Sequence, residues 1–109
     1  NPTITAAADF RAIEITTGTI NVSKTITPPA TTGSQTINKL AGTVNIAAAG
    51  TTVTVTNSLV TANSIIMCTV QTNDTTAVLK NVVPGAGSFV INLNAATTAE
   101  TAIAFFVIN

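Results

Sequence analysis

The last strand-forming run of this chain constrains its fold more than any other feature. The run 102–108 is apolar at every position, and only Asn109 follows it. Successive side chains of a strand point to opposite faces, so this strand presents apolar groups on both sides. Left uncovered, it would template aggregation. One face can pack inside the domain, and we expect the other to meet a second copy of the chain in an obligate oligomer.

Two phenylalanines lie side by side within this run, at Phe105 and Phe106. Because neighbours on a strand face opposite ways, we expect one ring inside the fold and the other towards a partner chain. The residues predicted for the oligomer interface are Phe105, Phe106 and Ile108.

Strand signals with a period of two residues recur along the chain and are separated by short turn sequences. The alanine-rich segments between them are too short to nucleate helices on their own. The predicted strands are 10–15, 19–26, 43–46, 52–56, 64–72, 77–83, 88–93 and 101–108. This spacing, without intervening helices, indicates an all-β fold built as an antiparallel, jelly-roll-like β-sandwich.

A boundary is predicted near Pro28-Pro29, because consecutive prolines cannot donate ladder hydrogen bonds and turn residues follow them. We expect residues 1–30 to form N-terminal strands, with a short first hairpin, and residues 31–109 to form the β-sandwich domain. The chain begins at Asn1 without an initiator Met or a signal sequence, so we expect it to be a piece of a longer polypeptide.

Charged side chains are scarce, at 7% of residues, and the net charge is zero. In soluble domains about a quarter of all residues are usually charged. The cations are scattered singly and give no basic surface, so no nucleic-acid partner is expected. Polar residues interrupt every apolar stretch before the ~18 residues that a membrane span requires, so no membrane insertion is expected.

The chain contains no His, which removes the commonest general base and metal ligand. The acids Asp9, Glu14, Asp74 and Glu100 show no spacing that pairs two carboxylates on one substrate. Cys68 lies in an apolar stretch and is expected to be a buried hydrophobe. We therefore expect neither catalysis nor a cofactor nor a metal ion.

Any recognition site is expected on loops, because the chain has no Trp or Tyr platform for a sugar. The turn 73–76 and the segment 57–63 carry Asn, Thr and Ser side chains that can hydrogen-bond sugar hydroxyls. The candidate receptor contacts are Asn57, Asn63, Asn73, Asp74 and Thr75. The alternative is that these residues are there as turn formers, for backbone reasons alone.

Several short motifs follow one another over the last three quarters of the chain. They are 32–39 (TGSQTINK), 42–44 (GTV), 55–64 (VTNSLVTANS), 70–74 (VQTND), 87–89 (GSF), 99–101 (AET) and 106–109 (FVIN). In this order, with the ending at Asn109, they resemble a small β-domain at the C-terminus of many bacteriophage tail fibres and tailspikes.

The resemblance implies a homotrimeric knob at the tip of a fibre or spike on the virion, used for trimerisation, for attachment to a host-surface polysaccharide or other receptor, or for both. It leaves residues 1–30 either in the knob or at its junction with a preceding shaft. A different interpretation is a carbohydrate-binding or adhesin module of a secreted bacterial protein. The low charge and the Thr- and Asn-rich composition suit that interpretation equally well.

Overall fold

Eight strands make up all the regular secondary structure of residues 14–109, which are the residues that the computed structural model describes. In chain order they are β1 (Lys24–Ile26), β2 (Gln35–Thr36), β3 (Ala41–Ile46), β4 (Thr52–Thr56), β5 (Ile65–Val70), β6 (Leu79–Gly85), β7 (Ser88–Leu93) and β8 (Thr101–Ile108). No helix forms between residues 14 and 109, so the predicted all-β class is confirmed. The β-branched residues of these segments favour extended backbone.

Two four-stranded sheets pack together as a sandwich. Sheet A has the strand order β1-β3-β8-β5, and sheet B has the order β2-β4-β7-β6. Consecutive strands lie in different sheets at every connection except the β6–β7 hairpin. In sheet A the final strand, β8, lies between β3 and β5 and is therefore paired on both sides.

The hydrophobic core lies between the sheets and is filled by alternate residues of their strands. The rings of Phe89 and Phe105 meet edge to face at its centre, with centroids 5.0 Å apart. The other buried apolar side chains are Ile37, Val44, Ile46, Val53, Val55, Val60, Ala77, Ile91, Leu93, Ile103 and Val107. The period-two pattern of the sequence thus marks the faces that pack inwards.

The predicted antiparallel arrangement is wrong at one edge of each sheet. β1 pairs with β3 in parallel, and β2 pairs with β4 in parallel. The remaining pairs are antiparallel. Between the two strands of each parallel pair the chain passes through the other sheet, and such a crossover lets both strands run in the same direction. Both sheets are therefore mixed.

Six of the predicted strands, from 43–46 to 101–108, are confirmed with small shifts at their ends. The predicted strand 19–26 is reduced to Lys24–Ile26, and the two-residue β2 was not predicted. Residues 14–23 form no strand, and Ile15 and Ile20 are exposed, so the apolar alternation there buries no face.

β1 pairs with β3, and the predicted first hairpin, which needs the strand 10–15, stays a prediction. Most of the predicted strand 10–15 lies outside the described residues. The division between residues 1–30 and 31–109 stays a prediction.

Residues 27–31 cover the outer side of β3. The side-chain amide of Asn45 donates to the carbonyl oxygens of Pro28 and Thr31, at 3.0 and 3.1 Å. The backbone N–H of Thr27 donates to the hydroxyl of Thr43 at 3.0 Å. Thr43 and Asn45 are consequently buried although they point away from the core.

Gly42 lies opposite Thr25 in the β1–β3 pair, where close packing leaves no room for a side chain. A Cβ atom at residue 42 would lie 2.7 Å from the carbonyl oxygen of Thr25 and 3.1 Å from the ring of Phe105. We expect Gly42→Ala to lower the free energy of unfolding by about 1–3 kcal/mol, because β1 or the ring must shift. Urea unfolding followed by circular dichroism measures this change.

Gly85→Ala is the matched control for that experiment, because its new Cβ would meet nothing nearer than 3.7 Å. Equal losses of stability in the two variants would contradict the close packing of β1 against β3.

Candidate functional site

One carboxylate fixes the loop between β5 and β6. Asp74 Oδ2 accepts hydrogen bonds from the backbone N–H groups of Thr76 and Ala77, at 3.0 and 2.8 Å, and from the Thr76 hydroxyl. Asp74 Oδ1 accepts from the backbone N–H and the hydroxyl of Thr98, at 2.8 and 2.7 Å. The carboxylate therefore ties this loop to the connection between β7 and β8.

These donors stabilise the charged form of the carboxylate. The backbone hydrogen bond from Ala77, followed by the side-chain hydrogen bond from Thr98, holds the pKa of Asp74 well below its usual range. The lone pairs of both oxygens are engaged within the chain. Asp74 is thus a clamp that gives the loop a defined shape.

A groove of about 480 Å³ opens beside this clamp, and we call it the β5–β6 groove. Its size lies within the range of small-molecule sites, roughly 300–1,000 Å³. Its wall is apolar, formed by Cys68, Val70, Ala77 and Leu79, and its rim is polar. The rim residues are Gln71, Thr72 and Asn73.

The groove exists because the sandwich is incompletely closed on this side. β5 and β6 are edge strands of the two sheets. Their inward side chains are only partly buried against the core; these are Ile66, Cys68, Val70, Leu79 and Val82. On the opposite side, the loop residue Ile37 is buried and closes the core.

Cys68 lies on the groove wall and is half-buried. Burial raises the pKa of its thiol to about 12. The thiolate is the nucleophilic form, and this environment disfavours it near neutral pH. The groove wall therefore presents Cys68 as a small apolar group.

The amide side chains fall into two groups, those that hold the fold together and those that do not. Asn57 is fully buried, donates to the carbonyl oxygen of Lys39 at 2.7 Å and accepts from the N–H of Leu59 at 3.0 Å. By contrast, the exposed side chains of Asn63, Gln71 and Asn73 make no hydrogen bond within the described part of the chain. Gln71 and Asn73 are thus available to a ligand at the groove rim.

The structure separates the two predicted recognition loops. Asn73, Asp74 and the exposed Thr75 follow the end of β5, whereas Asn57 and Asn63 precede its start. The six residues of β5 span about 20 Å, so the two loops lie at opposite ends of the sandwich. The predicted contacts therefore do not form a single site.

Gln71 and the groove wall were not predicted. The wall consists of inward-facing residues, which are normally buried in a core. Their partial exposure depends on which strands become sheet edges, and the local pattern of the sequence carries no such signal.

Phe105 and Phe106 face opposite ways, as the alternation predicts. Phe105 is buried in the core, whereas Phe106 is 39% exposed on the outer face of sheet A. There Met67 pairs with Phe106, and Ile65 pairs with Ile108. We call these four residues, Ile65, Met67, Phe106 and Ile108, the sheet A patch. All four are exposed, and none is charged.

The outer face of sheet B is mostly polar, and the paired Val83 and Val90 are its apolar exceptions in β6 and β7. Thr52 donates through its hydroxyl to Asn92 Oδ1 at 3.0 Å, and Asn92 donates through its amide to Asn81 Oδ1 at 2.8 Å. This polar row crosses β4, β7 and β6 and suits contact with water. Most of the other outward residues of β4 and β7 are also polar, namely Thr54, Thr56 and Ser88.

Two further features concern metals and membranes. Between residues 14 and 109, no group of three His, Cys, Asp or Glu side chains is arranged to hold a metal ion. The same part of the chain has no helix long and apolar enough to cross a membrane.

Comparisons of the chain with known protein families, with curated proteins and with solved structures give no significant match.

Asp74→Asn should lower the melting temperature at neutral pH, because the amide nitrogen cannot accept the hydrogen bonds that a carboxylate oxygen accepts. The folded-state pKa lies below the unfolded value of about 3.9, so the stabilisation is present above that pH and is lost as the pH falls towards the folded pKa. The difference between parent and variant should thus be constant near neutral pH and shrink below about pH 4. Scanning calorimetry over this range measures it.

Thr75→Ala, a change at the exposed neighbour, is the control and should leave the melting temperature unchanged. A parent–variant difference that is equally large at acidic and neutral pH would show that the charge of Asp74 is irrelevant.

Proposed function

We propose that this chain is the non-catalytic C-terminal domain of a bacteriophage tail fibre or tailspike. In this proposal it assembles as a homotrimeric knob at the tip of the fibre on the virion and attaches to a host-surface polysaccharide. The contrast between the two outer faces of the sandwich carries the proposal, since an apolar face suits assembly and a polar face suits water.

The sheet A patch supports assembly. Its four side chains form two directly paired rows, Ile65 with Ile108 and Met67 with Phe106, on adjacent strands. A contiguous apolar surface of this kind is costly to leave in water and marks an interaction site. A second copy of the chain covers it without introducing a charge.

The edge of β5 supports the same conclusion. The β6 edge carries Lys80, a register irregularity and Pro84, which are features that discourage strand pairing between molecules. β5 has the sequence IIMCTV, with no charge and no proline, and its pairing with β8 is regular. Of these two edges, β5 is therefore the one that suits a partner chain.

The threefold state and the jelly-roll-like topology belong to this proposal and rest on the resemblance of the ordered motifs to phage tail proteins. The change of sheet at almost every connection supports that topology. A cyclic trimer would place the sheet A patch of each chain against its neighbour around one axis.

The position of the β5–β6 groove supports attachment. The first residue of β1, Lys24, lies beside Ala41, and Ala41 pairs with Phe106 near the end of β8. The segment before β1 therefore joins the sandwich at the same end as Asn109. The groove follows the end of β5, at the opposite end. If the shaft of the fibre connects to the domain through the segment before β1, the groove lies at the end far from the shaft and faces outwards at the tip.

The proposal assigns no catalysis to the domain. Two of the three acidic side chains among residues 14–109 are engaged by backbone N–H groups: Asp74 by Thr76, Ala77 and Thr98, and Glu100 by Ala30. A glycosidase needs two acids that face one sugar.

A carbohydrate-binding or adhesin module of a secreted bacterial protein is the second candidate, because the groove and the polar face of sheet B suit it as well. In a module that acts as a monomer, the sheet A patch would have no partner chain to cover it. The oligomeric state therefore distinguishes the two candidates.

Light scattering should give three times the 11.0 kDa mass of one chain. Met67→Lys should shift the protein to a monomer, because it places an unpaired ammonium group in each apolar interface. Val83→Lys, at an exposed valine on the outer face of sheet B, is the matched control and should remain trimeric. A monodisperse monomer of the parent chain at micromolar concentration would contradict the proposal.

Replacing Asn73 and Thr75 together by Ala should weaken attachment of the trimer to susceptible host cells. Two lost hydrogen bonds at ~0.5–1.5 kcal/mol each reduce binding by about five- to 150-fold per site, and multivalency enlarges the effect. Light scattering first confirms intact assembly, and a cell-binding assay with labelled trimer measures attachment. Asn63→Ala, a free amide at the opposite end of β5, is the control. Unchanged attachment would leave trimerisation as the domain's only role.

A further inference from the structure

We infer that the β5–β6 groove binds a neutral sugar through a methyl substituent, either the C-methyl of a 6-deoxyhexose or the methyl of an N-acetyl group. This inference rests on the proposed attachment function and deepens it by naming the class of sugar. It is carried by the wall, the rim and the charge of the groove.

The groove wall determines what kind of apolar contact a sugar can make. Sugar rings usually stack their apolar faces on Trp or Tyr, and no aromatic side chain lines this groove. The apolar surface instead consists of the side chains of Cys68, Val70, Ala77 and Leu79, set between two sheet edges, with the exposed Val78 beside them. A recess of this kind accepts a methyl group better than the flat face of a ring.

The rim provides the polar contacts. Gln71 and Asn73 are exposed, and their amides make no hydrogen bond within the described residues. Each amide offers donors and an acceptor to the hydroxyls of a sugar whose methyl group enters the recess. The wall and the rim thus match the two chemical halves of one ligand.

The charge of the groove favours a neutral ligand. Asp74 is the one charged residue among those that line it, and both of its oxygens accept hydrogen bonds from Thr76, Ala77 and Thr98. No cationic side chain lines the groove to pair with a carboxylate or phosphate. Acidic sugars therefore gain no ion pair there.

The Asp74 clamp gives the rim its shape before any ligand arrives. Because the loop is held to Thr98 by hydrogen bonds of 2.8 and 2.7 Å, less ordering is needed on binding. A single groove still offers few contacts and binds weakly. Three grooves on one trimer would raise the avidity for a repeating polysaccharide.

Matched sugar pairs test this inference by saturation-transfer NMR on the full-length chain. L-Fucose and L-galactose differ only by the hydroxyl on C6, and N-acetylglucosamine and N-formylglucosamine differ only by the methyl of the acyl group. We expect the methyl-bearing member of one pair to bind about three- to tenfold more tightly than its partner. Its methyl protons should receive the strongest saturation.

Gln71→Ala combined with Asn73→Ala should abolish the saturation signal, and Asn63→Ala should leave it unchanged. Melting temperatures and light scattering confirm that both variants remain folded and assembled. Either pair showing the methyl preference supports the inference, and the identity of that pair distinguishes the C-methyl from the N-acetyl group.

The inference is overturned if neither pair shows a methyl preference at the highest soluble concentration, or if the doubly substituted rim binds as the parent does. A trimer that attaches to host cells without these preferences refutes the inference and leaves the proposed function standing. A monomer that does not attach refutes the proposed function itself.

Discussion

The pairing of β8 with a neighbour on each side is the interaction on which the rest of the structure depends. β8 forms continuous registers with β3 and with β5. Its inward side chains, Ile103, Phe105 and Val107, fill the core between the sheets. Its outward side chains lie beside those of β5 and create the sheet A patch. One strand therefore supplies both the centre of the fold and the surface that we propose for assembly.

β5 relates the two proposed activities because it is an edge strand of sheet A. Its outward residues Ile65 and Met67 belong to the sheet A patch, and its inward residues Cys68 and Val70 form part of the groove wall. Alternation along one strand thus places the surface proposed for assembly and the groove proposed for recognition on opposite faces. Assembly through the patch would leave the groove open and would bring three grooves to one end of the trimer, where weak sites act together.

The predictions from the sequence succeeded where a signal is local. Alternating apolar residues located six strands, and the adjacent Phe105 and Phe106 face opposite ways as predicted. Ile15 and Ile20 show the limit of this signal, because they alternate with polar residues and yet remain exposed. Asn and Asp side chains were harder to interpret, since the same chemistry serves a turn or a ligand. Only the hydrogen-bond partners distinguish the buried Asn57 from the free Asn73.

The sequence by itself determined that most strands of this chain have one apolar face, and that the final strand is apolar on both faces. Both properties follow from side-chain alternation, which neighbouring residues specify. The tertiary structure decided that β1 pairs with β3 and β2 with β4 in parallel. It also decided that β5 and β6 become edges and that a groove with a polar rim opens between them. These features depend on pairing between residues far apart in the chain, and no local pattern records which strands will meet.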